Sequence, residues 1–535
     1  MESTRVKDIE KIYTTCRRAL GLNAWNRVIE ACGESLKTET FASLLSALQE
    51  KHILPDFLPD LAELEWTRHV VMTKDVEIPY EVDKFIINPT VELLHLSWHL
   101  TQTLINKEDI PSVFPHPKDE WVVLWREIKT RKVHVDVAQA EDLLALKIIV
   151  EGIPLEEVTK SGNLPKERIE ATLQYAIDKG ILLAPPSRIR RNTNSFPIKP
   201  ETPKTFLSPS SFTLQWHITH ACDLHCKHCY DRSKRSPLTL KQAYSILDDL
   251  LNFCRSYHVK GHVCFTGGNP LLYSHFFDLY HEAAKRCFST SILGNPAPRK
   301  QIEEILTIQK PNYYQVSLEG LPDYNDEIRG LGYFNRVIEF LGILRDLDIP
   351  STVMLTLNKD NINQVIPLVD RLRGHADYFT FNRLSQVGEG TSLQLPNLSD
   401  YAAFLKEYVE AAQRNPIIGF KDNLINIIHH QRHVEPFGGC TDFGCGAAFN
   451  FITILPDGEA HACRKFPSPI GNILKQNITD VYESDIAKRY REGSLACRSC
   501  DIRPVCGGCL AVTYSYGLNV FKERDPHCFI SHYTG

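Results

Sequence analysis

The sequence predicts an α/β protein whose central part is a partial (β/α)6, TIM-like barrel. Between residues 211 and 400, six candidate strands alternate with amphipathic helices, and such units in series imply parallel strands with helices outside. Helical and winged-helix patterns precede this part, and a cysteine-rich segment follows it. In barrels of this kind the chemistry lies at the carboxyl ends of the strands, where we expect the site.

The length of 535 residues is too great for a single hydrophobic core, so we expect several domains. The predicted segments are a helical region at 1–112, a winged-helix module at 113–187, a linker at 188–210, the barrel at 211–400, and a bridging helix with a cysteine-rich domain at 401–535. The linker prediction rests on Pro, Ser and basic residues in SRIRRNTNSFPIKPETPKTFLSPSS.

Composition restricts the partners that we expect. The net charge of -5 and the pI of about 6.5 give no electrostatic basis for binding nucleic acid. No run of about 18 apolar residues suggests a membrane span, and the N-terminus lacks the apolar region of a secretory signal. We therefore expect a cytoplasmic protein that binds neither nucleic acid nor membrane.

The winged-helix prediction depends on the order of patterns after residue 113. WVVLWREI and RKVHVDV are typical of strands, and Val133, Val135 and Val137 alternate on one face of the second. Two helical segments follow, AQAEDLLALKIIVEG and LPKERIEATLQYAIDKG, the latter closed by Gly180, and ILLAP is a short extended exit. Residues before 113 show helical apolar spacing without a chemical motif, which favours a packing or docking role.

The candidate barrel strands are TLQWHIT, HVCFTG, STSIL, YYQVSLE, TVMLTL and YFTFN. The first ends in a loop, HITHACDLHCKHCYDRS, that carries Cys222, Cys226 and Cys229. Three thiolates bind three irons of a [4Fe–4S] cubane and leave the fourth iron open for an external ligand. A structural zinc site needs a fourth ligand, and His225 or His228 could supply it only within a strained short loop.

This loop resembles the signature of the radical S-adenosylmethionine (SAM) superfamily, CxxxCxxC after the first strand of a partial barrel. The resemblance implies that the amino and carboxylate groups of SAM chelate the open iron. It also implies that an electron from the reduced cluster cleaves SAM, and that the 5′-deoxyadenosyl radical so formed abstracts a hydrogen atom from the substrate.

Further strand ends extend the resemblance. TGGNP follows the second strand where the family usually has Gly-Gly-Glu, so Asn269 keeps an acceptor oxygen but lacks the charge. QVSLEGLPDYNDEIRG resembles the fourth-strand region of peptide-modifying members, although Arg329 could instead be a surface helix charge. The expected SAM-binding residues are Tyr230, Gly267, Gly268, Asn269, Ser317, Glu319 and Arg329.

Eight cysteines crowd the last hundred residues, the number that two fully ligated [4Fe–4S] clusters require. Asp457-Gly458 is a hairpin signal that would bring Cys463 back toward Cys445. Two zinc-ribbon sites are the alternative for cysteine pairs of this spacing. Five scattered cysteines are interpreted as buried small hydrophobic residues: Cys16, Cys32, Cys254, Cys264 and Cys287.

The array resembles the SPASM domain, the auxiliary-cluster module of peptide-modifying radical SAM enzymes. The resemblance implies a nearer cluster on Cys440, Cys445, Cys463 and Cys509, and an outer one on Cys497, Cys500, Cys506 and Cys528. With the cluster on Cys222, Cys226 and Cys229, this makes three [4Fe–4S] clusters. In sulfatase-maturing relatives, an Asp that acts as a base follows the third cysteine of this array. This chain has Arg464 after Cys463, which argues against formylglycine synthesis and leaves the catalytic base unassigned.

Residues 118–187 resemble the RiPP recognition element, a winged helix that binds leader peptides of ribosomally made, modified peptides. Its mechanism is β-augmentation, and we expect KVHVDV to be the edge strand and ERIEATLQYAI the other wall of the groove. A winged helix that binds DNA is the alternative, but the mixed charges Glu167, Arg168, Glu170 and Asp178 do not suit phosphates. TGGNP, LSQVGEG and the N-terminal extension most resemble the selenobiotic (thio/seleno-oxazole) maturases.

We therefore expect a maturase that acts on a precursor peptide, with electrons from a donor such as flavodoxin or ferredoxin. Hydrogen abstraction followed by oxidation would form a sulfur-to-carbon or ring linkage at Cys or selenocysteine. Epimerisation or carbon–carbon crosslinking on the same scaffold is one alternative. A non-enzymatic, zinc-binding scaffold is the other.

Overall fold

The structure is a computed structural model, and it describes residues 2–49, 54–79, 81–101, 115–128, 130–154, 157–159, 166–192, 194 and 202–530. The chain divides into two compact units, residues 1–186 and 187–535. The expected boundary at residue 112 and residues 193 and 195–201 of the expected linker fall outside the described residues. Where helices are described, none combines the length and apolar character needed to cross a bilayer.

The first unit begins with helices around one apolar core. Their bounds are α1 Glu2–Ile12, α2 Thr14–Leu20, α3 Leu22–Cys32, α4 Phe41–Gln49 and α5 Leu58–Thr73. Trp25, Phe41 and Leu61 are fully buried in that core. The buried Glu65 carboxylate accepts the backbone N–H groups of Thr15 (2.6 Å) and Cys16 (2.9 Å), so its burial is compensated by hydrogen bonds.

A three-stranded antiparallel sheet follows, in the order β2-β3-β4. Its members are β2 Glu92–Trp98, β3 Pro117–Arg126 and β4 Val133–Val137; β1 Ile86–Ile87 pairs with β5 Leu182–Leu183. Helices α6 Ala140–Glu151 and α7 Lys166–Lys179 share a core with Val123 and Trp125 of β3. The expectation that residues before 113 are helical is wrong for β2, because VELLHLSWHL fits both periodicities and pairing with β3 decides between them.

The second unit contains a nine-stranded sheet in the order β11-β10-β9-β8-β7-β6-β12-β13-β14. Its parallel part comprises β6 Ser211–Thr219, β7 Lys260–Gly267, β8 Ser289–Leu293, β9 Tyr314–Ser317, β10 Ser351–Leu357 and β11 Tyr378–Arg383. Consecutive strands are neighbours and all six are parallel, which confirms the predicted α/β core. Their carboxyl ends therefore meet at one edge.

Helices connect these strands as expected from the apolar periodicity. They are α8 Leu240–Tyr257, α9 Phe276–Lys285, α10 Arg299–Ile308, α11 Pro322–Arg329, α12 Tyr333–Asp346 and α13 Val365–Leu372. Local sequence fixes the start of α8, since Thr239 and Gln242 form a capping box. After α9, Cys287 has a positive φ of 59° and is exposed, so the expectation of a buried residue there is wrong.

The cysteine-rich part joins the other side of β6. Strand β12 Phe451–Ile454 runs parallel to β6, and β13 Glu459–His461 and β14 Pro469–Asn472 continue the sheet antiparallel. Gly458 turns the β12–β13 hairpin at a φ of +82°, as the Asp457-Gly458 signal predicts. The remaining helices are α14 Leu398–Ala412, α15 Ile425–Gln431, α16 Ile478–Glu483, α17 Asp485–Glu492 and α18 Leu510–Ser515.

Candidate active site

A cavity of about 330 Å³ opens where the parallel strands of the second unit end. It is lined from the cysteine loop by Cys222, Cys226 and Cys229, and by residues at the strand ends, among them Gly267, Gly268, Ser317, Thr356 and Asn382. The C-terminal domain contributes Arg464 and Lys465. The structure thus brings the predicted cysteine triad and most of the expected SAM-binding residues to one cavity.

The three thiols of the loop influence one another. Burial raises the pKa of the Cys226 thiol; Arg329 opposes the rise, while Cys222 and Cys229 add to it. Burial likewise raises the pKa of Cys229, with Cys222 contributing. Metal binding would relieve this cost, because an iron stabilises the thiolate form.

The paired glycines of TGGNP are required by the cysteine loop itself. A Cβ on Gly267, whose φ is +147°, would lie 2.2 Å from the Thr219 carbonyl oxygen, and one on Gly268 would lie 2.3 Å from that of Ala221. The Gly268 N–H donates to the Thr219 carbonyl (2.9 Å), and the Asn269 N–H donates to that of Ala221 (2.7 Å). The glycines therefore let the end of β7 dock against the backbone that leads into the cysteines.

Gly268→Ala is expected to displace this backbone and to reduce the iron bound at the loop. A methyl group 2.3 Å from a carbonyl oxygen cannot be accommodated unless Ala221, the residue before Cys222, moves. Iron content and SAM-dependent 5′-deoxyadenosine formation measure the effect. Gly342→Ala in α12 is the matched control, since its Cβ would meet nothing within 4 Å and both measurements should be unchanged. Unaltered iron binding in Gly268→Ala would contradict this docking role.

Asn269 takes part in a polar network behind the cysteine loop and is not among the residues that line the cavity. Its amide donates to Asp223 Oδ1 (3.1 Å), and the Asn295 amide donates to the same oxygen (2.6 Å) and lies 3.6 Å from Cys222 Sγ. Although burial favours the neutral acid, these hydrogen bonds hold the pKa of Asp223 below its usual value. Asp223 therefore stays charged and orients Asn295 beside Cys222.

Glu319 and Arg329 form a buried pair beside Cys226. Arg329 donates through Nε (2.8 Å) and NH2 (2.5 Å) to Glu319 Oε1, and its NH1 lies 3.7 Å from Cys226 Sγ. Burial alone would raise the pKa of Glu319, but the lowering by His228 and Arg329 outweighs it and brings the pKa to about 2. The Arg329 side chain is only 10% exposed, which excludes a surface helix charge. Arg329 lines the cavity and Glu319 lies behind it, so Glu319 acts through Arg329.

Tyr230 and Ser317 both line the cavity, as expected of SAM-binding residues. The Tyr230 hydroxyl lies 3.2 Å from Nε2 of His217, a residue near the end of β6 that also lines the cavity. Burial, followed by the charge of Arg464, lowers the pKa of His217 well below its usual value, so the imidazole is neutral at neutral pH. A neutral His217 can accept a hydrogen bond from the Tyr230 hydroxyl and so fix the orientation of the tyrosine ring.

The eight C-terminal cysteines separate into two groups. A second cavity is lined by Cys497, Cys500, Cys506 and Cys528. The other group contains Cys440, Cys445, Cys463 and Cys509. Burial raises the pKa of the first three thiols, and Cys509 adds to the rise at each of them. This is the same division that the resemblance implies.

The donor sets fit iron–sulfur clusters. As the structure stands, no three of His, Cys, Asp and Glu in the described part of the chain are gathered to hold one metal ion. A cubane makes a different demand, since each thiolate binds its own iron and the ligands surround the cluster from several sides. Three thiols line the first cavity and four line the second, the numbers that a cubane with one open iron and a fully ligated cubane require.

Arg383 ties the end of β11 to the cysteine-rich domain. Its side chain is 0% exposed, and it pairs with Asp422 (2.8 Å) and, through two nitrogens, with Asp525 (2.6 and 2.9 Å). Asp525 also accepts the backbone N–H of Cys509 (2.8 Å), and the Cys528 N–H donates to its carbonyl (2.9 Å). One buried ion pair therefore supports a cysteine of each C-terminal group.

Sequence reasoning did not single out Asp223, Asn295 or His217, and it did not foresee the ion pairs of Arg383. Asp223 lies inside the cysteine motif and Asn295 follows the third strand, so a search for polar residues at every strand end could have found them. Arg383 ends the sixth parallel strand and would be found by the same search, but its ion-pair partners would not, because they lie 39 and 142 positions away in the sequence.

Two domain families match this chain. Residues 216–372 match the Radical SAM superfamily, so this part of the chain is a radical SAM domain. More particularly, residues 445–509 match the SPASM iron–sulfur cluster-binding domain, so the radical SAM domain is followed by a SPASM domain. The two matches include most of the residues that line the cavity at the strand ends and six of the eight C-terminal cysteines.

Curated relatives share this part of the chain at low identity. The AdoMet-dependent heme synthase of Methanosarcina barkeri is 23% identical over 59% of this chain and 95% of the relative. The antilisterial bacteriocin subtilosin biosynthesis protein AlbA of Bacillus subtilis is 25% identical over 59% of this chain and 69% of AlbA. The mycofactocin maturase MftC of Mycobacterium tuberculosis is 27% identical over 60% of this chain and 83% of MftC.

Proposed function

We propose that this enzyme modifies a ribosomally made precursor peptide. The observation that carries the proposal is the joint presence of the cysteine-lined cavity, a SPASM domain and, in the first unit, a small sheet with an edge strand suited to a leader peptide. Similarity to a bacteriocin biosynthesis protein and to a maturase supports it. Similarity to a heme synthase supports only the shared chemistry of the barrel.

The residues around the first cavity would hold SAM and its cluster. Cys222, Cys226 and Cys229 would bind three irons, and Arg329 beside Cys226 would bind the SAM carboxylate. When bound, the cluster and SAM supply the abstraction of a hydrogen atom from a substrate C–H bond. Tyr230, Gly267, Gly268 and Ser317 complete the wall around SAM, whereas Asn269 and Glu319 act from behind it.

The eight C-terminal cysteines would hold two further [4Fe–4S] clusters, which makes three in all. The nearer group contains Cys463, whose neighbour Arg464 reaches the first cavity, so this group is suited to accept the electron left on the substrate. The outer group lines its own cavity and is suited to pass electrons onward. A flavodoxin or ferredoxin would supply the electron that starts the reaction.

The leader peptide would bind the first unit as an added strand. In the described sheet, β4 pairs with β3 alone, so its other side offers backbone N–H and C=O groups. Helix α7 would form the opposite wall: it packs against Val123 and Trp125 of β3, and its Lys179 lies 3.6 Å from Asp136 of β4. These features support the RiPP recognition element at about 113–187. They also favour a peptide over DNA, because β-augmentation needs no cationic surface.

The product that we propose is a sulfur-to-carbon or ring linkage at Cys or selenocysteine, as in the selenobiotic maturases. Oxidative linkage needs an electron acceptor after hydrogen abstraction, and the nearer cysteine group provides the place for one. Epimerisation or a carbon–carbon crosslink would use the same scaffold. The mass of the product distinguishes them, because epimerisation leaves the mass unchanged.

Incubation of the anaerobically reconstituted enzyme with SAM, dithionite and the peptide encoded beside its gene tests the proposal. We expect 5′-deoxyadenosine and a peptide that has lost two hydrogens, located by tandem mass spectrometry. A peptide that lacks its leader should react at least tenfold more slowly, because it forfeits the strand pairing on β4. Peptides recovered unmodified while 5′-deoxyadenosine accumulates would contradict the proposed function.

A further inference from the structure

Arg464 places a guanidinium in the wall of the SAM cavity without an acidic partner. It follows Cys463 at the end of the β12–β13 hairpin, and its NH1 donates to Thr266 Oγ1 (3.4 Å) near the end of β7. No carboxylate within residues 202–530 forms an ion pair with it.

The other cationic side chains on the cavity wall already have protein partners. Arg329 binds Glu319 at 2.5 Å, and Arg383 binds Asp525 at 2.6 Å. Arg232 lies 3.8 Å from Glu389. Lys465 donates to the backbone carbonyl of Arg383 at 3.1 Å. Among the described arginines that line the cavity, Arg464 is therefore the one without a carboxylate partner, and its guanidinium can bind an anion other than SAM.

The Arg464 side chain is half-buried. A guanidinium that is partly removed from water is costly unless its charge is compensated, and its planar fork matches a carboxylate through two parallel hydrogen bonds. SAM carries one carboxylate, but Arg329 beside Cys226 is placed for it. Arg464 enters the cavity from the C-terminal domain and reaches β7, which leaves its fork for a second carboxylate. A thiolate fits less well, since a single sulfur cannot use both arms of the fork.

We propose that Arg464 binds a carboxylate of the substrate peptide and so selects an acidic residue, or the C-terminal carboxylate, at the position that enters the cavity. The inference rests on the proposed function and narrows its substrate class. Arg464 is a specificity-determining residue that holds the peptide by charge and geometry. The bond formed is decided by whatever C–H group the bound carboxylate brings to the cofactor.

Deuterium transfer tests the inference without a known precursor. The reduced holoenzyme receives SAM and one of three tripeptides of the form Ala-Xaa-Ala: a doubly capped one with deuterated Glu, the same with deuterated Gln, or an N-capped one with deuterated Gln and a free C-terminus. Deuterium in 5′-deoxyadenosine is measured by mass spectrometry. We expect transfer from a carboxylate-bearing peptide to exceed that from capped Gln at least tenfold, as a charge-assisted hydrogen bond allows. The Glu and free-terminus arms identify which carboxylate is bound.

Arg464→Met should abolish this preference, and Arg464→Lys should restore part of it because the charge returns without the fork. Arg432→Met is the control, since Arg432 lies on the surface in an exposed pair with Glu410. Saturation-transfer NMR on the oxidised holoenzyme measures binding of the same peptides independently of turnover. Equal transfer and equal binding of the Glu, Gln and free-terminus peptides would overturn the inference. So would an Arg464→Met variant that keeps the preference and instead raises the KM for SAM.

Failure of the proposed function looks different. If no 5′-deoxyadenosine forms with any peptide, the proposed function is contradicted, while the NMR comparison of Glu and Gln peptides still decides the role of Arg464. If 5′-deoxyadenosine forms and precursor peptides are modified but carboxylates bring no advantage in either measurement, only the role of Arg464 fails.

Discussion

Cys226→Ala is expected to abolish the formation of 5′-deoxyadenosine by the reconstituted, reduced enzyme. With one thiolate missing, the loop offers two ligands, and a [4Fe–4S] cluster that must keep one iron open for SAM needs three. Cys226 is also the cysteine beside Arg329, at 3.7 Å, so its loss disturbs the group placed for the SAM carboxylate. We expect activity to fall by at least a thousandfold, to the background of the assay, as loss of the group that performs the chemistry implies.

Cys287→Ala is the matched control. Cys287 is an exposed cysteine after α9 and does not line the cavity, so the same substitution there should leave iron content and 5′-deoxyadenosine unchanged. Iron should fall by about four per chain in Cys226→Ala and by none in the control, because one cubane contains four irons. A Cys226→Ala protein that still cleaves SAM would refute the assignment of the loop.

The parallel-strand core of the enzyme could be predicted from the sequence because local sequence patterns determine it. Apolar runs such as HVCFTG and TVMLTL are buried on both sides in a parallel sheet, and such runs separated by amphipathic helices imply consecutive parallel strands. Cysteine spacing was equally informative, since Cys222, Cys226 and Cys229 are forced together by the short loop that carries them. The two C-terminal groups depend on long-range folding, and there the resemblance to SPASM domains supplied the division.

Features that depend on contacts between residues far apart in the sequence could not be predicted. β2 has apolar spacing that suits a helix or a strand, and only its pairing with β3 decides. Gly267 and Gly268 were expected as SAM-binding residues, whereas the nearest atoms to an added Cβ are backbone oxygens of Thr219 and Ala221. Arg329 could have been a surface charge, and it is the fold of α11 against the cysteine loop that buries it with Glu319.

Arg383 is the strongest case of a residue that only the folded structure explains, and its replacement should be severe. Arg383→Met leaves Asp422 and Asp525 buried without their cation, and breaking a buried ion pair in this way costs about 3–5 kcal/mol. We expect the free energy of unfolding in urea, followed by tryptophan fluorescence under anaerobic conditions, to fall by that amount. Arg432→Met removes an arginine from an exposed pair with Glu410, and it should cost less than about 1 kcal/mol.

The same variant separates stability from cluster binding. The Asp525 carboxylate accepts the Cys509 N–H, and the Asp525 backbone carbonyl accepts the Cys528 N–H. Loss of Arg383 should therefore release a cysteine of each C-terminal group and leave the loop at Cys226 untouched. Iron should therefore be lost from the C-terminal sites first, and SAM cleavage should outlast peptide modification. Adding Asp525→Asn to Arg383→Met removes the uncompensated charge and should recover part of the stability. If the Cys509 N–H needs the Asp525 carboxylate, the double variant should not regain iron at the C-terminal sites. A double variant that regains both stability and iron would show that Arg383 acts through folding alone.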